Sequence, residues 1–279
     1  MSGDALPNIG DVASANIDGL VIRYARSGPA EGIPVLLTAP WPESIYAFRH
    51  VIPQLRSTHP VIAVDLPGFG LSESRPNVMA PQAMGDFVIN LLRHFKVDRA
   101  HAIAPDVGAL AVLFAATKKR DLFESIALGS AAVRAEMASG VLYDLIHSPP
   151  GAFANVDGAE AIGNYLTEAA KLTPAPIVED FRKASAGSRF ENAVQFVRSY
   201  LSDLPKLEPS LASINTPVLI IAGKADAIVP PANGQFLAER LPHNRYVLLD
   251  AQHRAWEEAA GAYADALAAW VGGGYLALV

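Results

Sequence analysis

The residues best suited to chemistry in this sequence are two aspartates and a histidine, each directly after a predicted strand. Asp106 lies between a strand ending near residue 104 and a helix beginning near residue 107. Asp226 follows the strand 218–222, and His253 follows the last strand. A nucleophile, an acid and a histidine base in this chain order suit hydrolysis through a covalent intermediate.

Each of the three residues has an ordinary alternative role when it is taken singly. Asp106 would serve as a helix cap, which is a common position for aspartate. Asp226 would serve as a turn residue, and His253 as a polar surface residue. Their shared position at the carboxyl ends of different strands is more specific, because ligands bind at that edge of an open α/β sheet.

Short apolar runs that alternate with longer helical patterns position these residues. The runs 35–37 and 218–221 are apolar on both faces, which is typical of parallel strands covered by helices. The alternation predicts an α/β fold with a mostly parallel sheet, flanking helices and right-handed crossovers. Strands are predicted at 20–24, 34–37, 61–64, 100–104, 125–128, 218–222 and 246–249, and helices near 82–96, 107–119, 231–241 and 256–271.

The stretch 131–208 interrupts this alternation, because it contains no convincing buried strand. Its helical patterns are separated by proline-containing segments at 148–151 and 174–176. We therefore predict a core formed by residues 1–130 and 209–279, with residues 131–208 inserted as a helical cap over the sheet.

Composition narrows the classes of function. The chain has 279 residues, 51% of them hydrophobic, which is enough to bury a large core. A net charge of −6 disfavours nucleic acid and anionic membranes as partners, and the absence of cysteine excludes disulfides, thiolate metal sites and cysteine nucleophiles. The spacing of histidines and carboxylates predicts neither a metal nor an organic cofactor.

The sequence shows no signal peptide and no apolar run long enough to span a bilayer. We therefore expect a cytoplasmic protein whose partner is a small organic molecule. A homodimer is left open by these observations.

Several segments resemble the α/β-hydrolase superfamily, most closely its epoxide hydrolase and haloalkane dehalogenase branch. Residues 64–72 (VDLPGFGLS) are similar to the loop that follows the family's fourth strand. Residues 41–44 (WPES), followed by 48–50 (FRH), are similar to the oxyanion loop of epoxide hydrolases. Residues 223–226 (GKAD) and 252–253 (QH) are similar to the family's acid and histidine segments.

The resemblance implies the α/β-hydrolase fold and a nucleophilic aspartate, since most members carry serine in a G-x-S-x-G motif that this chain lacks. Asp106 would form an alkyl ester with the substrate, and His253, oriented by Asp226, would activate water to hydrolyse it. The backbone N–H groups of Trp41 and Val107 would stabilise the oxyanion. We predict an epoxide hydrolase-like activity on a small or medium apolar substrate.

The resemblance also implies a proton donor in the cap, because epoxide hydrolases use two cap tyrosines to protonate the opening oxygen. Tyr143 lies in a segment similar to the first of these and is the predicted substrate-contacting acid. Val197 stands where the second tyrosine is expected, with Tyr200 and His147 as substitutes.

Four departures from the family pattern keep other functions open. Ala39-Pro40 replaces the His-Gly before the oxyanion residue, and Ala104 and Pro105 replace the glycine and histidine before the nucleophile. Val107 stands where haloalkane dehalogenases carry a halide-binding tryptophan. A haloalkane dehalogenase-like hydrolase with Trp41 as a halide donor is the first alternative. A lyase, an isomerase or a binding scaffold on the same fold is the second.

Overall fold

An eight-stranded sheet forms the centre of the molecule in a computed structural model, which describes residues 5–279. The strands lie in the order β1-β2-β4-β3-β5-β6-β7-β8. They are β1 (Asp11–Ile17), β2 (Leu20–Ser27), β3 (Val35–Thr38), β4 (Val61–Val64), β5 (Ala100–Pro105), β6 (Phe123–Gly129), β7 (Val218–Gly223) and β8 (Asn244–Leu249). The pairs β1–β2 and β2–β4 are antiparallel, and the other neighbours are parallel. The predicted mostly parallel sheet is confirmed.

Helices cover the sheet and fill the interval between β6 and β7. They are α1 (Ile52–Leu55), α2 (Pro81–His94), α3 (Val107–Lys118), α4 (Gly140–His147), α5 (Gly158–Ala161), α6 (Gly163–Leu172), α7 (Ala175–Ser185), α8 (Arg189–Arg198), α9 (Tyr200–Leu207), α10 (Ala232–Ala238), α11 (Ala255–Glu258) and α12 (Ala260–Val271). Short 3-10 helices span Ile45–His50, Pro76–Val78, Ala135–Met137, Glu208–Ser213 and Gly274–Leu278.

The first strand is the element that the sequence patterns missed. Among residues 5–279, β1 pairs only with β2, and most of its residues are exposed. An edge strand of this kind lacks the continuous apolar run by which buried strands are recognised. The seven predicted strands are all present. Four of them, β3, β4, β5 and β7, are buried along their whole length, which explains their apolar sequences.

Helix α3 lies in the interior, which explains why its sequence is apolar on every side. Its residues 107–116 are all buried, and it packs between the sheet and α2. A helix without a polar face is stable in water only when it is enclosed in this way. The N-terminus of α3 is therefore fixed relative to the end of β5.

Helices α4 to α9 lie between β6 and β7, and a buried ionic network ties them to the sheet. Arg23 on β2 pairs with Asp65, which follows β4, at 2.5 Å, and with Asp180 on α7 at 2.6 Å. Ser44 donates a hydrogen bond to the same Asp180 carboxylate at 2.5 Å. The division into a core of 1–130 with 209–279 and a cap of 131–208 stays a prediction.

None of the helices in the described part of the chain combines the length and the apolar character needed to cross a bilayer.

Candidate active site

Asp106 occupies a sharp turn between β5 and α3. Its backbone has φ of 54° and ψ of −126°, a region that residues other than glycine rarely adopt. Strain of this kind costs about 1–3 kcal/mol and is concentrated at functional sites. Gly108 permits the close packing behind the turn, because a Cβ at this position would collide with the Thr38 hydroxyl on β3. The turn thus holds the Asp106 side chain at the carboxyl edge of the sheet.

The two oxygens of the Asp106 carboxylate have different surroundings. Oδ2 accepts a hydrogen bond from the backbone N–H of Trp41 at 2.8 Å, and the N–H of Val107 also stabilises the negative charge. Oδ1 lies 3.8 Å from Nε2 of His253. The Asp106 side chain makes no capping bond further into α3, so helix capping does not account for this residue.

Asp226 holds the other side of the histidine ring. Its Oδ2 lies 2.9 Å from Nδ1 of His253, while its Oδ1 accepts hydrogen bonds from the N–H groups of Ile228 and Val229 at 2.9 and 2.8 Å. Asp226 is 4% exposed. The same carboxylate therefore forms the turn after β7 and orients His253.

The loop that carries His253 is fixed by close backbone packing. Gly223, at the end of β7, has no room for a Cβ, which would collide with the backbone oxygen of Gln252. The hydroxyl of Ser130 donates to the backbone oxygen of His253 at 2.9 Å. These contacts bring the ends of β6, β7 and β8 together around the histidine.

Burial and neighbouring charges set the ionisation of this triad. Burial raises the pKa of Asp106, although the charge of His253 and the backbone N–H donors oppose the shift. Burial disfavours the charged form of His253, but the hydrogen bond and charge of Asp226 and the charge of Asp106 outweigh it and raise its pKa. Burial likewise disfavours ionised Asp226, yet the hydrogen bond and charge of His253 dominate and lower its pKa. The histidine is therefore a stronger base than a free imidazole.

A cavity of about 680 Å³ opens above the triad. Its size suits a small or medium organic ligand. Its floor includes Trp41, Pro42, Asp106, Ile228, His253 and Arg254, and its roof includes Leu142, Leu145, Ile162, Tyr165, Leu172 and Phe190. No group of three or more His, Cys, Asp or Glu within residues 5–279 is arranged to hold a metal ion.

The site brings together five of the six residues singled out from the sequence and leaves out Tyr143. Tyr143 is 45% exposed, and its ring stacks on the exposed His147 at 4.1 Å between centroids, away from the cavity. Helix α4 directs Leu142 and Leu145 toward the cavity, so Tyr143, which is adjacent to Leu142 in sequence, lies on a different face of the helix. The assignment of Tyr143 as a substrate-contacting acid is corrected accordingly.

Glu43, Tyr165 and Arg254 belong to the site, although the sequence did not single them out. Glu43 is fully buried and accepts hydrogen bonds from the Tyr165 hydroxyl through Oε1 and from Trp256 Nε1 through Oε2 at 2.9 Å. Arg254 Nη1 lies 3.6 Å from Oε1. The signal available for Glu43 was a lone carboxylate within the apolar segment 39–48. Tyr165 has no comparable signal, because it resembles the other cap tyrosines.

Tyrosines near the triad are held in their neutral form. Burial, followed by the charge of Glu43, raises the pKa of Tyr165 well above its usual value. Burial and the charge of Asp106 do the same for Tyr200, which is 2% exposed. A neutral phenol close to a carboxylate is available to donate a proton.

The fold agrees with comparisons to known proteins. A family model described as the alpha/beta hydrolase fold matches residues 33–260. The chain therefore belongs to the α/β-hydrolase family, and the fold expected from the sequence is confirmed.

Individual relatives within this family differ in their named chemistry. The soluble epoxide hydrolase of a Corynebacterium species is 35% identical over 112 residues, which are 40% of this chain and 38% of that protein. The pimeloyl-[acyl-carrier protein] methyl ester esterase of Neisseria meningitidis is 28% identical over 265 residues, covering 90% of this chain and 98% of that protein. A hydrolase structure from Pseudomonas aeruginosa has a TM-score of 0.80 and 24% identity, covering 95% of this chain and 100% of its own, which supports the fold.

Proposed function

We propose that this protein is a hydrolase that forms an alkyl ester on Asp106 and acts on an epoxide of small or medium size and apolar character. The observation that carries the proposal is the position of Asp106 Oδ2, 2.8 Å from the backbone nitrogen of Trp41. In a covalent hydrolase, the oxygen that gains negative charge must lie against such donors. Here the carboxylate of the protein itself supplies that oxygen.

This arrangement disfavours the ester hydrolysis for which the Neisseria relative is named. The carbonyl oxygen of an ester substrate would need the backbone donors that Asp106 Oδ2 already occupies. An electrophilic carbon has no such need, because it is attacked by the free oxygen, Oδ1. An epoxide carbon is an electrophile of this kind, and the apolar side chains in the roof of the cavity suit its hydrocarbon part.

The reaction would proceed in two steps. In the first, Asp106 Oδ1 forms a bond to one epoxide carbon while the carbon–oxygen bond of the ring breaks. In the second, His253 removes a proton from water, which attacks the carbonyl carbon of the ester while Oδ2 carries the negative charge. His253 Nε2 faces the carboxylate at 3.8 Å, and Asp226 keeps its ring oriented from the other side at 2.9 Å.

The opening oxygen needs a proton, and Tyr165 is the donor that we propose. Tyr165 lines the cavity together with Asp106, and its hydroxyl group is in hydrogen-bond contact with Glu43. Tyr200 is the second phenol near Asp106, but it is not among the residues lining the cavity.

Haloalkane dehalogenation is the second candidate function, and one observation favours it. Trp41 Nε1 is buried without a hydrogen-bond partner among the described residues, and a halide ion would accept its hydrogen. Val107 supplies no second side-chain donor. The two candidates share Asp106, His253 and Asp226 and differ in the leaving group.

The test is the intact mass of the His253→Gln variant after incubation with styrene oxide or 1-bromobutane. Without its base, the variant should retain the ester. A mass gain equal to the whole epoxide, mapped to the peptide that contains Asp106, would support the proposal. A gain of the butyl group alone would move the assignment to a dehalogenase. The control is the same variant with Asp106→Ala, and no adduct with either compound would contradict a covalent mechanism.

A further inference from the structure

A buried carboxyl group lies directly behind the proposed proton donor. Glu43 is completely shielded from solvent, follows Trp41 by two residues and contacts the hydroxyl of Tyr165 on α6. Tyr165 in turn lines the cavity that contains Asp106. The cavity, Tyr165 and Glu43 thus form a continuous path from the substrate to a group that has no assigned role in the two-step reaction.

The contacts of Glu43 fit both protonation states of its carboxyl group, because the Tyr165 hydroxyl can donate to a carboxylate or accept from a protonated carboxyl group. Oε2 accepts a hydrogen bond from Trp256 Nε1 at 2.9 Å, as a carbonyl oxygen would. Oε1 contacts the Tyr165 oxygen and lies 3.6 Å from Arg254 Nη1, which is close enough for an ion pair but makes no hydrogen bond within the described chain. A hydrogen on Oε1 therefore has one natural acceptor, the oxygen of Tyr165.

We propose that protonated Glu43 is a positioning residue for Tyr165: it donates its hydrogen to the phenolic oxygen, turns the hydrogen of Tyr165 into the cavity, and replaces that hydrogen after ring opening. The proposal rests on the proposed function, because it concerns the proton needed in the ring-opening step. It predicts two states of the site: one in which Tyr165 donates its proton to the substrate oxygen, and one in which it does not.

The proton balance of the cycle closes. When the Asp106–carbon bond forms and the ring carbon–oxygen bond breaks, the electron pair on oxygen takes the proton of Tyr165. The Tyr165 oxygen takes the proton of Glu43, which becomes a carboxylate. Hydrolysis of the ester consumes one water and returns Asp106 as a carboxylate. The proton released in that step returns to Glu43 from the cavity through the Tyr165 hydroxyl, and the sum is epoxide plus water to diol.

The ionised state of Glu43 would withhold the donor. A carboxylate at this position accepts the hydrogen of Tyr165, so that the phenol points away from the substrate. Burial, followed by repulsion from Glu257, raises the pKa of Glu43 to about 7, against the opposing effects of Arg254, Tyr165 and Trp256. Ring opening should therefore slow as pH rises through this range.

The other ionisable groups around Glu43 do not produce the same behaviour. They are Tyr165 on α6, His253 and Arg254 before α11, and Glu257 on α11, which is paired with Arg49. Asp106 must be ionised to attack, so its titration makes ring opening faster as pH rises. A rate of ring opening that falls above neutral pH therefore indicates loss of a proton from Glu43 or Tyr165.

The experiment measures the rate of ester formation from pH 6 to 9 with styrene oxide, by rapid quench and mass of the Asp106 peptide. It uses the His253→Gln background, which removes the titration of the base, and adds Glu43→Gln or Tyr165→Phe. The glutamine amide keeps the pattern of a protonated carboxyl group, because its oxygen accepts from Trp256 and its nitrogen donates to Tyr165. It cannot pass a proton onward.

We expect the background variant to lose about tenfold in rate for each pH unit above about 7. Glu43→Gln should remove that decline and be about 3 to 10 times slower at pH 6, and Tyr165→Phe should be about 100 times slower than the background variant at pH 6 and show no decline at higher pH. A decline that persists in Glu43→Gln, or its absence from the background variant, would overturn the inference and leave the ester mechanism intact. Absence of any ester would remove both proposals.

Discussion

The floor and the roof of the cavity are built in different ways. The floor residues Asp106, Asp226 and His253 follow β5, β7 and β8, so the register of the sheet sets their separation. The roof is formed by helices whose placement depends on side-chain contacts with the distant core, such as Arg23 with Asp180. Functional residues that directly follow buried strands can be located from sequence patterns. Functional residues whose position depends on packing between distant elements cannot.

The largest effect that we expect comes from the strained position on the floor. Asp106→Gly should lower turnover by more than about 10⁴-fold, because it removes the proposed nucleophile. It should also be about 1 kcal/mol more stable than Asp106→Ala, since glycine tolerates a φ of 54°. Steady-state kinetics and urea denaturation measure the two effects, and residual activity within tenfold of the wild type would show that Asp106 is not the nucleophile.

Two tyrosines of the cap sharpen the comparison, since one faces the cavity and the other faces solvent. Tyr165→Phe should reduce epoxide turnover by about 100-fold, the usual range for loss of a general acid. Tyr143→Phe should stay within about twofold of the wild type, because Tyr143 lies 45% exposed on the outer side of α4. Equal losses in both variants, or a larger loss in Tyr143→Phe, would contradict the placement of the roof.

The ionic contact between roof and floor should matter for stability. Asp180→Ala leaves the buried Arg23 with only Asp65 as a partner and should cost about 3 kcal/mol. Asp86→Ala removes an exposed pair with Lys118 and should cost less than about 1 kcal/mol. Urea denaturation of both variants gives the comparison, and a similar cost at the two sites would mean that the buried contact does not hold the cap.

The smallest expected effect is a shift in the pH dependence of ester hydrolysis. The neutral form of His253 is the base in the proposed mechanism, and its pKa is raised above the usual 6.5. Hydrolysis of the accumulated ester should therefore slow as pH falls through a value above 6.5. Single-turnover measurements from pH 5.5 to 9 locate the pH at which the rate of ester hydrolysis is half its maximum. A value below 6 would exclude the proposed partnership with Asp226.

The floor of the cavity was more predictable from the sequence than the roof. The apolar runs of β5 and β7 located Asp106 and Asp226 because buried strands have little freedom in composition. Strand β1 was missed because its edge position requires no apolar run. The alternation of strands and helices and the positions of Asp106, Asp226 and His253 were thus available from local patterns, whereas the roles of Trp41 and Val107 were implied by the family resemblance.

The roof shows what local patterns did and did not contain. In α4, the spacing of Leu142, Leu145 and Ile146 marks the buried face, and it separates Tyr143 from the cavity. That signal was present in the sequence and was outweighed by the family resemblance. The contact between Glu43 and Tyr165 spans 122 residues of chain and depends on how the cap packs, so no pattern in the sequence indicated it.

Oxygen labelling tests the central claim, that Asp106 is the nucleophile, most directly. A single turnover of styrene oxide in H₂¹⁸O, with the wild-type enzyme in excess, separates oxygen from the protein and oxygen from solvent in the product. We expect a diol without heavy oxygen, and a gain of about 2 Da in the peptide that contains Asp106, because water attacks the ester carbonyl. Heavy oxygen in the diol and none in the peptide would show direct attack by water and contradict the covalent mechanism.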